Sequence, residues 1–138
     1  MTEINFYTAI NDPLTAAARL VGKAYAQGRR VRVVTQDVLT TVALDKLLWQ
    51  EPVDGFLPHV TLASAHAAIT PVIVDHSLVH EGAADVLINL SAEPPAFFSR
   101  FTRLFEIVGQ DAPLATAGRA RWAFYAARGY PMTHTVMK

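Results

Sequence analysis

Asp85-Val86-Leu87-Ile88-Asn89-Leu90 is short, apolar and rich in branched side chains. A strand of this kind is buried on both faces, and that is the condition of a strand inside a parallel sheet. Pro71–Asp75 has the same character. Working outward, Arg30–Thr35 carries Val31, Val33 and Val34 and reads as a third strand. Between Ile4–Tyr7, an apolar opener, and that strand lies a helix. Asp12 is its expected N-cap, and Pro13 takes the first helical position. Leu14, Ala17, Ala18, Val21 and Tyr25 form its apolar face, and Gly28 supplies the closing turn.

The remaining segments extend the alternation. Asp37 caps a second helix that runs to about Trp49, and Pro52 and Pro58 make Glu51–His59 irregular. Pro94-Pro95 opens a third helix whose stripe is Phe97, Phe98, Phe101, Leu104, Phe105 and Val108, with Phe98 the member most readily exposed. Gly118–Arg128 is a fourth helix closed by Gly129, and Pro131–Val136 is a last strand, placed at an edge by Pro131. The expected fold is a single α/β domain over residues 1–138, a three-layer α/β/α sandwich with a Rossmann-like, mostly parallel sheet.

Composition narrows the function classes. The 138 residues suffice for one good core. At 51% hydrophobic and 17% charged, the chain is too apolar for disorder, and its apolar stretches are strand-sized. Met1-Thr2-Glu3 is not a leader, which fits a cytoplasmic protein. There are no cysteines, so no disulfide and no Cys-based zinc site. Net charge is zero, which disfavours nonspecific duplex binding. Residues 1–96 hold six Lys/Arg and ten Asp/Glu, whereas residues 97–138 hold six Lys/Arg and two acids. The last third is therefore basic and points to an acidic partner, unless the charges simply solvate helix faces.

Catalytic patterns are scarce. The first strand–helix turn, Thr8-Ala9-Ile10-Asn11-Asp12-Pro13, lacks the glycines that let a phosphate approach backbone, and Asp12 would repel one. Of the five histidines, His76 and His80 are four apart, but no Glu follows the first of them. Asp75 beside His76 would suit a ligand or acid–base pair, although a strand-end Asp next to an exposed loop His is the plainer reading. No serine sits in Gly-x-Ser-x-Gly. An α/β enzyme or small-molecule binder would use Asp12, Gln36, Asp37, Asp75 and His76 beyond the strand ends. No cofactor or metal is expected.

Three segments together carry a family likeness. They are Leu44–Trp49 with Pro52, Phe56, Pro58 and His59; Asp85–Leu90; and Gly118-Arg119-Ala120-Arg121-Trp122 through Tyr125, Gly129 and Tyr130. Asn5-Phe6-Tyr7 and Gly28-Arg29-Arg30-Val31 add to them. In this order and at this length the chain resembles the chi subunit family of bacterial DNA polymerase III. The resemblance implies a noncatalytic adaptor of the holoenzyme, one that carries the polymerase label only by membership. It joins the clamp loader, through the psi subunit, to the acidic, phenylalanine-ended tail of single-stranded DNA-binding protein. By the same resemblance, Trp49 and Phe56 match the psi contact, and a repair helicase is an alternative partner for that surface. Arg119 and Trp122 match the tail site, with Arg128, Gly129 and Tyr130 as neighbours. The family's basic residues are replaced here by Ala123 and Ala126. Helical projection puts Arg119, Trp122 and Ala126 on one side, and Arg121, Tyr125 and Arg128 on another. A guanidinium for a terminal carboxylate and an apolar slot for a phenyl ring are what such a tail needs.

Overall fold

The computed structural model describes residues 2–50, 59–60, 72–77 and 85–136, with residues 49, 50, 59 and 60 through their backbone only. The elements are β1 (Glu3–Ile10), α1 (Pro13–Ala26), β2 (Val31–Val34), α2 (Val38–Gln50), β3 (His59–Val60), β4 (Val72–Asp75), β5 (Val86–Asn89), β6 (Arg103–Gly109), α3 (Ala112–Ala127) and β7 (Met132–Val136). A 3-10 turn, Phe98–Arg100, precedes β6. The strands form one seven-stranded sheet in the order β3-β4-β2-β5-β6-β1-β7. Every pairing is parallel.

Local chemistry sets the element ends. Asp12 caps α1: its carboxylate accepts from the Thr15 backbone N–H at 3.4 Å and from the Thr15 hydroxyl at 2.6 Å. Those bonds hold the Asp12 carboxyl below its ordinary value. Asp37 does the same for α2 through the Thr40 N–H and hydroxyl, both at 2.8 Å. Gly28 ends α1 at φ 76°, a backbone conformation that side chains with a Cβ resist.

Strand alternation then sorts residues between two layers. Val31, Val33, Val86, Ile88 and Ile107 face α1 and α2 and pack with Ala17, Val21 and Leu44. Ile4, Phe6, Leu87, Leu104 and Val108 face the opposite side, against Tyr125 of α3 and the phenylalanines of the 3-10 turn. The three-layer α/β expectation therefore holds, with the sheet wholly parallel among the described residues.

The expected third helix does not exist as such. Phe98–Arg100 makes one 3-10 turn, Phe101 is extended at φ −102° and ψ 151°, and Arg103–Gly109 is strand. Both faces of β6 are covered, so Leu104 and Val108 on one side and Phe105 and Ile107 on the other are all apolar. A period of two then leaves no polar alternation to mark it. Phe98, expected to be the exposed member, is buried at 7%. Its ring lies 5.0 Å from Tyr125 and 5.0 Å from Tyr130. The fourth helix also begins earlier than Gly118, with Asp111 at its N-cap position and Pro113 in its first turn.

Candidate functional site

Gly118 decides how α3 meets the sheet. A Cβ there would stand 2.6 Å from Val108 Cγ1, so only glycine lets the helix lie this close to β6. One turn of α3 then presents Arg119 and Trp122 to the flank of the sheet, where they line an open groove of about 430 Å³. Its floor is mostly apolar, with Phe6 and Val108, and its far wall is His134 of the edge strand. Trp122 packs edge-on against Phe6, with centroids 5.1 Å apart, and against His134 at 6.3 Å. It remains 38% exposed, so the indole has a free face.

A bulge in β1 shapes the end of the groove. The register passes from Tyr7 opposite Ile107 to Ile10 opposite Gly109, leaving Thr8 and Ala9 against Val108. Ala9 takes φ 58°, the left-handed region that costs a non-glycine residue about 1–2 kcal/mol. The Thr8 hydroxyl meets His134 Nε2 at 2.5 Å and ties the bulge to the edge strand. The groove thus combines an apolar slot with the exposed Arg119, whose Nη2 lies 3.5 Å from the Thr116 hydroxyl.

Between α3 and the strands β5 and β6 lies a buried polar network. Arg121 Nε donates to Glu106 Oε1 at 2.8 Å, and the Tyr125 hydroxyl donates to Oε2 at 2.5 Å. Asn89 Nδ2 lies 3.0 Å from each carboxylate oxygen. Burial pushes the Glu106 carboxyl up from its ordinary value, while the Arg121 charge and then the hydrogen bonds oppose that. Burial, together with the neighbouring Glu106 charge, also pushes the Tyr125 hydroxyl up, so it stays protonated and donating. Arg121 thus anchors the helix from inside, and Arg119 two residues earlier faces solvent.

The other sequence candidates lie elsewhere. Arg128 is at the far end of α3, its guanidinium 3.5 Å from the Phe124 ring centroid and donating to the Phe124 carbonyl. Gly129 ends that helix at φ 77°, and Tyr130 packs on Phe98. None of these three joins Arg119 and Trp122 at the groove. Trp49 falls in the last turn of α2, and Phe56 lies outside the described residues. Asp75 and His76 do adjoin, with His76 Nδ1 at 3.3 Å from the Asp75 carboxylate. Asp12 and Gln36 line a second crevice at the strand C-termini, but each is engaged: Asp12 caps α1, and Gln36 accepts from the Ala92 N–H at 2.7 Å. No cluster of three or more metal-ligating side chains occurs among the described residues. No helix among them is long and apolar enough to cross a membrane. The groove walls from β1 and β7, His134 and Thr8 above all, were not legible in the sequence, where 126 positions separate the two.

The fold and the groove define an all-parallel α/β protein with a ligand-sized apolar cleft between its last helix and the sheet edge. A family model described as "DNA polymerase III chi subunit, HolC" matches residues 1–133, and the chain belongs to that family. It is 35% identical over 136 residues to the DNA polymerase III subunit chi of Pseudomonas aeruginosa, covering 96% of this chain and 94% of that one. It is 26% identical over 147 residues to the Escherichia coli K12 subunit chi, covering the whole of both. The Haemophilus influenzae subunit chi is 26% identical over 121 residues, 85% of this chain and 82% of that one.

Proposed function

We propose that this chain is a noncatalytic, single-domain adaptor of the polymerase III holoenzyme, working inside the cell. In this reading the Arg119/Trp122 groove receives the acidic, phenylalanine-ended tail of single-stranded DNA-binding protein. The observation that carries it is the pairing of an apolar slot with a guanidinium at its mouth. The phenyl ring enters against Trp122 and Phe6, and its terminal carboxylate pairs with Arg119. Ala123 and Ala126 are exposed on the same helix and carry no charge, so the acidic residues upstream of the ring gain little from them. Trp49, with Phe56, is the contact for psi, since a large aromatic at a helix end makes a good interface anchor.

Titration with a short acidic peptide ending in phenylalanine tests the groove. Saturable binding by the native chain, lost in Arg119→Ala, is the expected result. An Arg119→Ala chain that binds as well as the native one would sink the assignment. For the second contact, Trp49→Ala should abolish capture of psi and leave the peptide titration unchanged. Retained capture would exclude Trp49 from that interface.

A further inference from the structure

Because all strands are parallel, their N-termini share one end of the sheet. That end is basic in a way the linear sequence conceals. Lys23 closes α1, Arg29 and Arg30 lead into β2, Arg100 lies in the 3-10 turn, and Arg103 opens β6. Around the starts of β1, β6, β5 and β2 the described carboxylates are Glu3 and Asp85. Asp85 is tied to the Arg30 backbone N–H at 2.9 Å. At the opposite end stand Asp12, Asp37, Asp75 and Asp111, each at or just past a strand's C-terminus. Among the described residues, charge is thus separated along the strand axis. Compensation of a helix dipole accounts for Lys23, and Arg100 closes the 3-10 turn, but neither accounts for Arg29, Arg30 and Arg103.

Lys23, Arg29 and Arg103 line a common recess of about 130 Å³. Asn5 and Gln27 add amides, and its surface is mostly polar. Arg103 pairs loosely with Glu3, at 3.6 Å, and both side chains are partly exposed. The recess is far smaller than the 430 Å³ groove. A phosphate group suits it: small, doubly hydrogen-bonding and anionic. From β1 across β6 and β5 to β2 is three strand spacings, roughly 14 Å. That width accommodates a few phosphates of one backbone and falls short of the breadth of a duplex.

We infer that this basic rim is a contact surface for the phosphate backbone of single-stranded DNA, with the Lys23/Arg29/Arg103 recess seating one phosphate. The surface is distinct from the tail groove, which lies on the α3 face near the opposite end of β1 and β6. A chain using both would hold a protein tail and the strand beside it at once.

Fluorescence anisotropy of a labelled oligothymidylate with the whole protein, across a salt series, tests this. About three phosphate contacts predict a slope of log affinity against log salt near −2. Lys23→Ala/Arg29→Ala, remote from the core, should weaken binding about tenfold at low salt and, with the recess phosphate lost, flatten the slope to about −1.4. Arg119→Ala should leave oligonucleotide binding intact, while the double variant keeps the acidic peptide, so the two sites fail separately. Absence of binding at low salt would overturn the inference. So would unchanged affinity in the double variant, equal displacement by polyglutamate, or equal affinity for a duplex.

Discussion

Under α1 and α2 the sheet offers Val31, Val33, Val86, Ile88 and Ile107, and the helices answer with alanine, valine and leucine. Under α3 the same strands offer Arg32, Asn89 and Glu106, all at 0% exposure. The first face is held by area removed from water, which is nondirectional and tolerant of sliding. The second has an apolar cluster too, but adds to it hydrogen bonds and charge that work in one geometry only. Glu106 joins Arg121, Tyr125 and Asn89. Arg32 donates to the Ser77 carbonyl at 2.9 Å and lies 5.2 Å from the Phe97 ring. Burial lowers the Arg32 pKa to about 10, so it is still charged at neutral pH. The face that needs an exact helix position is the face that carries the groove.

The largest effect should come from breaking the polar side. Arg121→Ala leaves the fully buried Glu106 charge without its cation, a loss of about 3–5 kcal/mol. Leu44→Ala on the apolar side should cost about 2–5 kcal/mol. The two differ in pH dependence. Burial already raises the Glu106 carboxyl, and losing Arg121 raises it further. A carboxyl whose folded pKa exceeds its unfolded value binds more protons when folded, so stability falls as pH rises between the two. The Arg121→Ala deficit should therefore shrink in acid and grow toward neutrality, while that of Leu44→Ala should not follow this trend. Urea midpoints across pH would show it, and a pH-independent Arg121→Ala deficit would equate the two faces.

Next in size is Gly118→Ala. The new methyl would meet Val108 at 2.6 and 2.9 Å, and both atoms belong to a stiff, buried side chain. Overpacking of this kind costs about 1–3 kcal/mol. Since α3 must move outward, peptide binding at the groove should weaken while the α1/α2 side keeps its amide protection. Equal loss of protection on both faces would mean that the helix position is not set locally.

Much of this was legible from residues alone, and the misses share a cause. Val72–Asp75 and Val86–Asn89 read as buried strands because unbroken apolar runs of that length have few alternatives. The same double burial disguised β6, where Leu104, Phe105, Ile107 and Val108 fit a helical stripe as well as two faces of a strand. At the groove, the spacing of Arg119 and Trp122 placed both on one side of a helix. His134, Thr8 and the Ala9 bulge come from other strands and leave no local pattern. Counting charge by thirds of the chain likewise missed the separation between sheet ends, because parallel connectivity brings distant residues to one rim.

Asp12→Ala belongs to the apolar side, where the cap of α1 is its clearest polar fixture. Loss of an N-cap costs about 1 kcal/mol. The Asp12 carboxyl is lowered by its bonds to Thr15, so its contribution is present above the unfolded value and lost as pH falls through the folded one. Native and Asp12→Ala chains should therefore converge in stability in strong acid. A gap that persists there would assign the loss to packing.

The smallest effect is expected at Ala9, and it bears on why the groove side tolerates strain. Its φ of 58° places alanine where glycine is at ease. Ala9→Gly should recover about 1 kcal/mol of strain and give back about 0.5–1 kcal/mol through the freer unfolded chain. The melting temperature should therefore scarcely move. Local opening is another matter, because glycine widens the conformations open to the bulge without unfolding the sheet. Amide exchange at Thr8 and Ile10 should quicken, and the 2.5 Å contact between Thr8 and His134 should loosen with it. Peptide affinity would then fall by a few-fold at constant stability, marking the bulge as a fixed wall of the groove. A marked rise in melting temperature with unchanged affinity would show instead that the strain is carried for nothing the groove requires.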